Sequence, residues 1–276
     1  MSVLFVSGLI AWGVLTGMVF STIGAAGGIL TSFGLISLFG VMDPNSVKPM
    51  TQIVTLATGL LFLRSYLRSR SMVVPLGMLL GLGGLAGAWA GSTLSSVYLA
   101  DMSSFRPLFA ILTLAIAAQI TWKLVRGKPG ACTTCAEVSD LSFVGGALRF
   151  SYGEATFRVP VWSPLAAGFG VAFLASVFGV GGGFLLVPYM ASVLGLPMFV
   201  IPGTAAIAII MALAVSIGNF VARGAVLDWG LLVPLLIGAL AGAMLGPMVN
   251  RRARNSWLQA GLAVVLVGIG LKYLLA

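Results

Sequence analysis

The 64 residues Val159–Ala222 contain no Asp, Glu, Lys or Arg, and neither does the stretch Met1–Met42. A chain that excludes charge over runs this long folds in a bilayer. One helical span takes about 20 apolar residues, so the longer run holds about three segments. Over all 276 residues, 59% are hydrophobic and 8% charged, and the mean hydropathy is +1.12. These values point to an all-α polytopic membrane protein and away from a soluble domain. No positive charge precedes the first apolar stretch, which therefore reads as a membrane segment rather than a cleaved leader.

Ten hydrophobic segments follow from the pattern, giving about 8–10 membrane segments. Val3–Thr22, Ile29–Met42, Met50–Leu63, Met72–Ser96 and Pro107–Leu124 form a first repeat within residues 1–126. Pro164–Phe178, Phe184–Val200, Gly203–Ala222, Trp229–Val249 and Trp257–Leu275 form a second within 164–276. An offset of 155 relates Gly13 to Gly168, Ser21 to Ser176, Gly24 to Gly179 and Gly28 to Gly183. Leu80–Gly91 matches Leu235–Gly246 at seven of twelve positions. Arg64, Arg68 and Arg70 lie between segments three and four, whereas Arg251, Arg252 and Arg254 lie between segments nine and ten. Basic loops stay cytoplasmic. Both clusters are cytoplasmic only if the linker, 127–163, is inside, both termini are outside and the five-segment repeats are inverted. The expected location is the plasma (bacterial inner) membrane, multi-pass.

Within the linker, Phe143–Phe150 and Ala155–Val161 alternate apolar and polar residues around Ser151–Glu154, which predicts a β-hairpin. Cys132 and Cys135 form a CxxC pair with no histidine anywhere in the chain. A structural zinc site takes four ligands. Two linkers in a homodimer could complete one, but two reduced cytoplasmic thiols are the simpler expectation. The absence of histidine also excludes histidine-based proton relays and catalytic triads. With no embedded carboxylate pair either, the chain is not expected to be an enzyme and no cofactor is called for. The net charge of +9 falls between apolar segments, where it orients the chain in the lipid rather than binding nucleic acid.

The candidate site is read from two glycine clusters and two proline-led helix starts. Gly24, Gly27 and Gly28 interrupt the first repeat, and Gly179, Gly181, Gly182 and Gly183 the second. Glycine breaks at matching places in two halves are a pointer to a transporter's binding site. Pro49-Met50-Thr51-Gln52 and Pro202-Gly203-Thr204 read as helix starts, with proline suited to the first turn. Thr51 and Thr204 would offer hydroxyls beside free backbone N–H groups; ordinary helix capping explains these threonines equally well. None of the six acidic residues lies within an apolar segment, which argues against cation binding in the membrane. Helix N-termini and hydroxyls hold anions instead. Lys48 and Arg64 are expected at the mouths, attracting anions rather than ligating them.

The motif Gly179-Val-Gly-Gly-Gly-Phe184, its partner Gly24-Ala-Ala-Gly-Gly28 and the Pro-x-Thr starts resemble the TauE/SafE sulfite exporter family. That resemblance covers nearly the whole chain apart from Gly127–Ser163. It implies export of small sulfur-containing anions such as sulfite, sulfoacetate or related organosulfonates. Two other readings stay open at this point: an anion channel, and a membrane redox or assembly protein built on Cys132 and Cys135.

Overall fold

The computed structural model describes residues 3–23, 27–68, 72–126, 138–152, 155–197, 200–252 and 255–275. Gly24, Cys132 and Cys135 lie outside the described residues. Within them the chain forms ten α-helices and one small sheet. The first half contributes α1 (Val3–Ile23), α2 (Gly27–Ser37), α3 (Pro44–Arg68), α4 (Val74–Tyr98) and α5 (Met102–Arg126). The second contributes α6 (Trp162–Phe178), α7 (Gly183–Pro188), α8 (Ile201–Ala222), α9 (Trp229–Arg252) and α10 (Asn255–Leu275). A π-helical turn, Tyr189–Val193, extends α7. Five of the described helices are long and apolar enough to cross a membrane. By contrast α2, with 11 residues, is about 16 Å long, half of a hydrocarbon core. The α7 segment with its π-turn ends equally early, at Val193.

The 155-residue offset reappears in the packing. A Cβ on Gly13 would strike the Leu235 carbonyl, and one on Gly168 the Leu80 carbonyl. Gly238 meets Ile10 as Gly83 meets Leu165; Gly242 meets Val14 as Gly87 meets Phe169. Each pair maps onto the other when the halves are exchanged. The small residues of the two matching blocks are thus the seams along which α9 packs on α1 and α4 on α6. Small residues serve this purpose in lipid, where backbones must approach closely to gain dispersion energy. Valine at Gly87 or Gly242 would force these backbones apart; overpacking of this kind costs about 1–3 kcal/mol. Both variants are expected to melt below wild type in detergent. Gly218→Ala, where nothing stands within 4 Å, is expected to melt no lower.

Two helices start five or six residues earlier than expected, and α2 and α7 with its π-turn end before the expected Met42 and Val200. Helix α3 starts at Pro44, so Pro49 lies inside it rather than at its first turn. The reason is Asp43, whose carboxylate accepts from the Asn45 N–H (2.9 Å) and the Ser46 hydroxyl (2.6 Å). An N-cap of this kind starts a helix ahead of the proline. Likewise α5 starts at Met102 and contains Pro107.

The linker forms a three-stranded antiparallel sheet in the order β1-β2-β3: Val138–Val144, Ala147–Tyr152 and Ala155–Pro160. The hairpin around Ser151–Glu154 pairs Phe150 with Phe157. Phe143–Phe150, however, is not one strand. The chain reverses at Gly145 and Gly146, both with positive φ (60° and 72°), as a two-residue hairpin turn requires. Leu148, Phe150 and Tyr152 alternate onto one face. They pack on the starts of α4 (Val73, Leu76) and α8 (Ile201, Ala205) and on Met190. The sheet therefore covers the end of the molecule where α4 and α8 begin.

Candidate functional site

Helices α3 and α8 pack against each other, and the second glycine cluster lies across α3. Gly179 ends α6 in the left-handed region (φ 71°) with its N–H bonded to the Ala175 carbonyl. A Cβ there would stand 2.6 Å from Lys48 Cβ. Gly181 is also left-handed (φ 82°), and its Cβ would lie 2.9 Å from Thr55 Cγ2. Such φ values suit glycine because other L-residues are strained there. Gly28, in the first turn of α2, has no room for a Cβ because the Val180 carbonyl occupies the position. The two glycine clusters, 155 residues apart in sequence, thus touch. Gly27 packs on Phe20, and Gly182 faces Val171 and Ala175 across the start of α7. Gly183 is buried in the first position of α7.

Lys48, Gln52 and Thr55 lie one turn apart on the face of α3 that this loop crosses. Gln52 is fully buried, yet neither Nε2 nor Oε1 has a hydrogen-bond partner among the described residues. Ser216 on α8 is in the same condition: 0% exposed, with Oγ unpartnered. Two contacts fix how α3 and α8 run past each other. Lys48 Nζ stands 5.9 Å from the Phe220 ring. Thr55 meets Gly181, beside the cavity wall where Gly182 adjoins Ala212 and Leu213. The helices are antiparallel, so counting one turn on in each helix from the Lys48–Phe220 contact leads to Gln52 on α3 and Ser216 on α8. A buried polar group without a partner costs about 1–3 kcal/mol, and Gln52 and Ser216 each carry that cost. Exchange by 155 turns Gln52 into Ile207 and Ser216 into Leu61, so the polar pair occurs once.

The other anticipated residues divide. Thr51 is buried and shares a hydrogen bond of 3.1 Å with Ser32. Met50 is buried and borders a vestibule at the start of α3. Because Asp43 caps α3, Pro49–Gln52 does not present a free helix end; this corrects the expectation from the proline. Pro202 does sit in the first turn of α8, next to the buried Gly203. Thr204 Oγ1 accepts from the Val73 N–H (3.0 Å) and donates to the Val200 carbonyl (2.8 Å). It ties α8 to the start of α4, and lies about 18 Å along α8 from Ser216. Lys48 also departs from expectation. It is 0% exposed rather than at a mouth. Ser216 gave no sequence signal, being one serine in an apolar helix; its buried, unpartnered hydroxyl marks it.

A vestibule of about 900 Å³ opens at the starts of α3 and α9 and is lined by Asp43, Ser46, Met50 and Asp228. A separate cavity of about 10 Å³ lies between α4, α6 and α8 beside Gly182 and Ser176, room for about one water.

A family model described as "Sulfite exporter TauE/SafE" matches residues 9–273. The chain is 25% identical over 273 residues to the "Probable membrane transporter protein YunE" of Bacillus subtilis (strain 168), covering 95% of this chain and 94% of that one. No solved structure matches it significantly.

Proposed function

Because the chain belongs to the sulfite exporter TauE/SafE family, we propose that it carries small sulfur-containing anions, such as sulfite, sulfoacetate or related organosulfonates, out of the cell. The observation that carries this reading is Gln52: a fully buried amide, unpartnered among the described residues, where a broken helix crosses α3. In this reading the anion sits between the halves. The Gln52 amide and the Ser216 hydroxyl donate to it from α3 and α8, and the backbone N–H groups of Gly181–Gly183 approach from the loop.

The halves are read as inverted repeats in the plasma (bacterial inner) membrane, with the sheet and linker in the cytoplasm and both termini outside. Helix α1 runs with α9, and α6 with α4, as their glycine contacts ascend together; an odd number of helices per half then reverses one half relative to the other. The vestibule faces outward and the sheet seals the inner end. An anion leaving a negative interior gains about 2.3 kcal/mol per charge per 100 mV, so export needs no carboxylate for cation coupling.

The test is flux from proteoliposomes loaded in turn with sulfite, sulfoacetate, taurine or sulfate under an imposed potential. Sulfite or sulfoacetate efflux is expected to saturate, to show counterflow and to accelerate when the interior is negative. Flux of all four at the rate of protein-free liposomes would overturn the proposal. Saturating flux without counterflow would identify a channel.

A further inference from the structure

The Lys48 amine is enclosed by protein, with no carboxylate hydrogen-bonded to it among the described residues; Asp43, five residues earlier, is the carboxylate that acts on it through space. Its Nζ donates to the Leu99 carbonyl at 2.7 Å and the Ser95 carbonyl at 3.3 Å, the last carbonyls of α4. The rings of Phe105 and Phe220 stand 5.1 and 5.9 Å away. Its stem is clamped by Gly179, whose missing Cβ would lie 2.6 Å from Lys48 Cβ. Ser95 in turn donates to the Val177 carbonyl at 2.6 Å, joining the end of α4 to the end of α6. A buried charge normally carries a counter-ion, because desolvating it alone is costly. Carbonyls of a helix C-terminus supply only partial negative charge. An ionisable group within a membrane bundle has a functional partner by default.

The missing partner is one helical turn away. Gln52 follows Lys48 by four residues on the same face of α3, about 6 Å along the helix. Rotation about the outer χ angles of Lys48, beyond the Cγ that Gly179 clamps, would carry the ammonium toward Gln52. We infer that Lys48 is the counter-charge of the transported anion: its ammonium rests on the Ser95 and Leu99 carbonyls in the empty protein and turns to the anion held at Gln52 and Ser216. This rests on the site proposed above and adds what that site lacks, a full positive charge. It also makes occupancy visible to the rest of the fold. When the ammonium leaves, the end of α4 loses two hydrogen bonds beside the point where Ser95 holds α6 and the glycine loop begins. The site then selects for net charge: a dianion gains most, a monoanion less and a zwitterion least.

Three sulfonates of similar size separate this from a structural role: sulfoacetate (two negative charges), isethionate (one) and taurine (net zero). Binding to purified wild type, Lys48→Met and Lys48→Arg is measured by calorimetry, with thermal unfolding of the ligand-free proteins alongside. Lys48→Met is expected to weaken sulfoacetate about hundredfold and isethionate about tenfold, with taurine little changed. Lys48→Arg keeps the charge and is expected to restore the order of affinities. Ligand-free Lys48→Met should melt no lower than wild type, because an uncompensated buried charge has been replaced by an apolar chain of similar length. If wild type binds the anions and Lys48→Met binds them as tightly, or loses affinity for all three equally while melting lower, Lys48 is structural and the inference fails with the site intact. If wild type binds neither anion, the site itself is wrong and the inference falls with it.

Discussion

Gln52→Leu is expected to abolish anion flux while leaving the protein as stable as wild type or more so. The two effects have opposite signs for one reason. In the empty protein the amide makes no hydrogen bond among the described residues, so leucine removes a desolvation cost of about 1–3 kcal/mol and fills the same space. In the loaded protein the amide donates to a charged ligand, and losing such a bond costs about 1.5–3 kcal/mol, or ten- to hundredfold in affinity. Ser216→Ala should follow with a smaller effect. Flux in proteoliposomes and melting in detergent check both halves of the prediction. A variant that melts far below wild type would make Gln52 a structural residue, and one that transports normally would place the pathway elsewhere.

The second large effect is expected at Gly181. Its φ of 82° is a conformation that costs a side-chain-bearing residue about 1–2 kcal/mol, and more when the side chain is β-branched. A Cβ would also lie 2.9 Å from Thr55 Cγ2. Gly181→Val is therefore expected to lift the glycine loop from α3 and stop transport, while the long helices around it still insert. Gly181→Ala combined with Thr55→Ser removes the contact but not the strain, and should recover part of the flux. Wild-type flux in Gly181→Val would show that the loop does not border the pathway.

Much of this architecture is written in the chain. The charge-free runs give the membrane helices, because nothing but apolar sequence is stable there. The repeat was legible for a sharper reason. At Gly13, Gly83 and Gly87 and their partners Gly168, Gly238 and Gly242 the missing Cβ admits a backbone from the other half, so Gly83 and Gly238 cannot drift without separating two helices. The glycine clusters were legible as breaks, and Gly28 against Val180 shows why both are needed. Local signals misled where a side chain competed with them. Pro49 reads as a helix start, but the Asp43 carboxylate caps α3 earlier. The Gly145-Gly146 turn was hidden inside an alternating stretch that continues on both sides of it. Thr204 was a fair candidate from sequence, yet its hydroxyl holds the start of α4. That Gln52 and Ser216 are both buried without a partner depends on how their helices pack, which no local pattern encodes. Lys48 looked peripheral because it lies beside polar turn residues, whereas α3 carries it inward under Gly179.

The most direct test is a calorimetric titration of sulfoacetate into purified wild-type protein and Gln52→Leu. Since the polar pair occurs once per chain, wild type should bind one sulfoacetate per chain. Gln52→Leu should bind at least about tenfold more weakly at undiminished thermal stability. Equal affinity in the two proteins would contradict a substrate site at the crossing of α3 and α8.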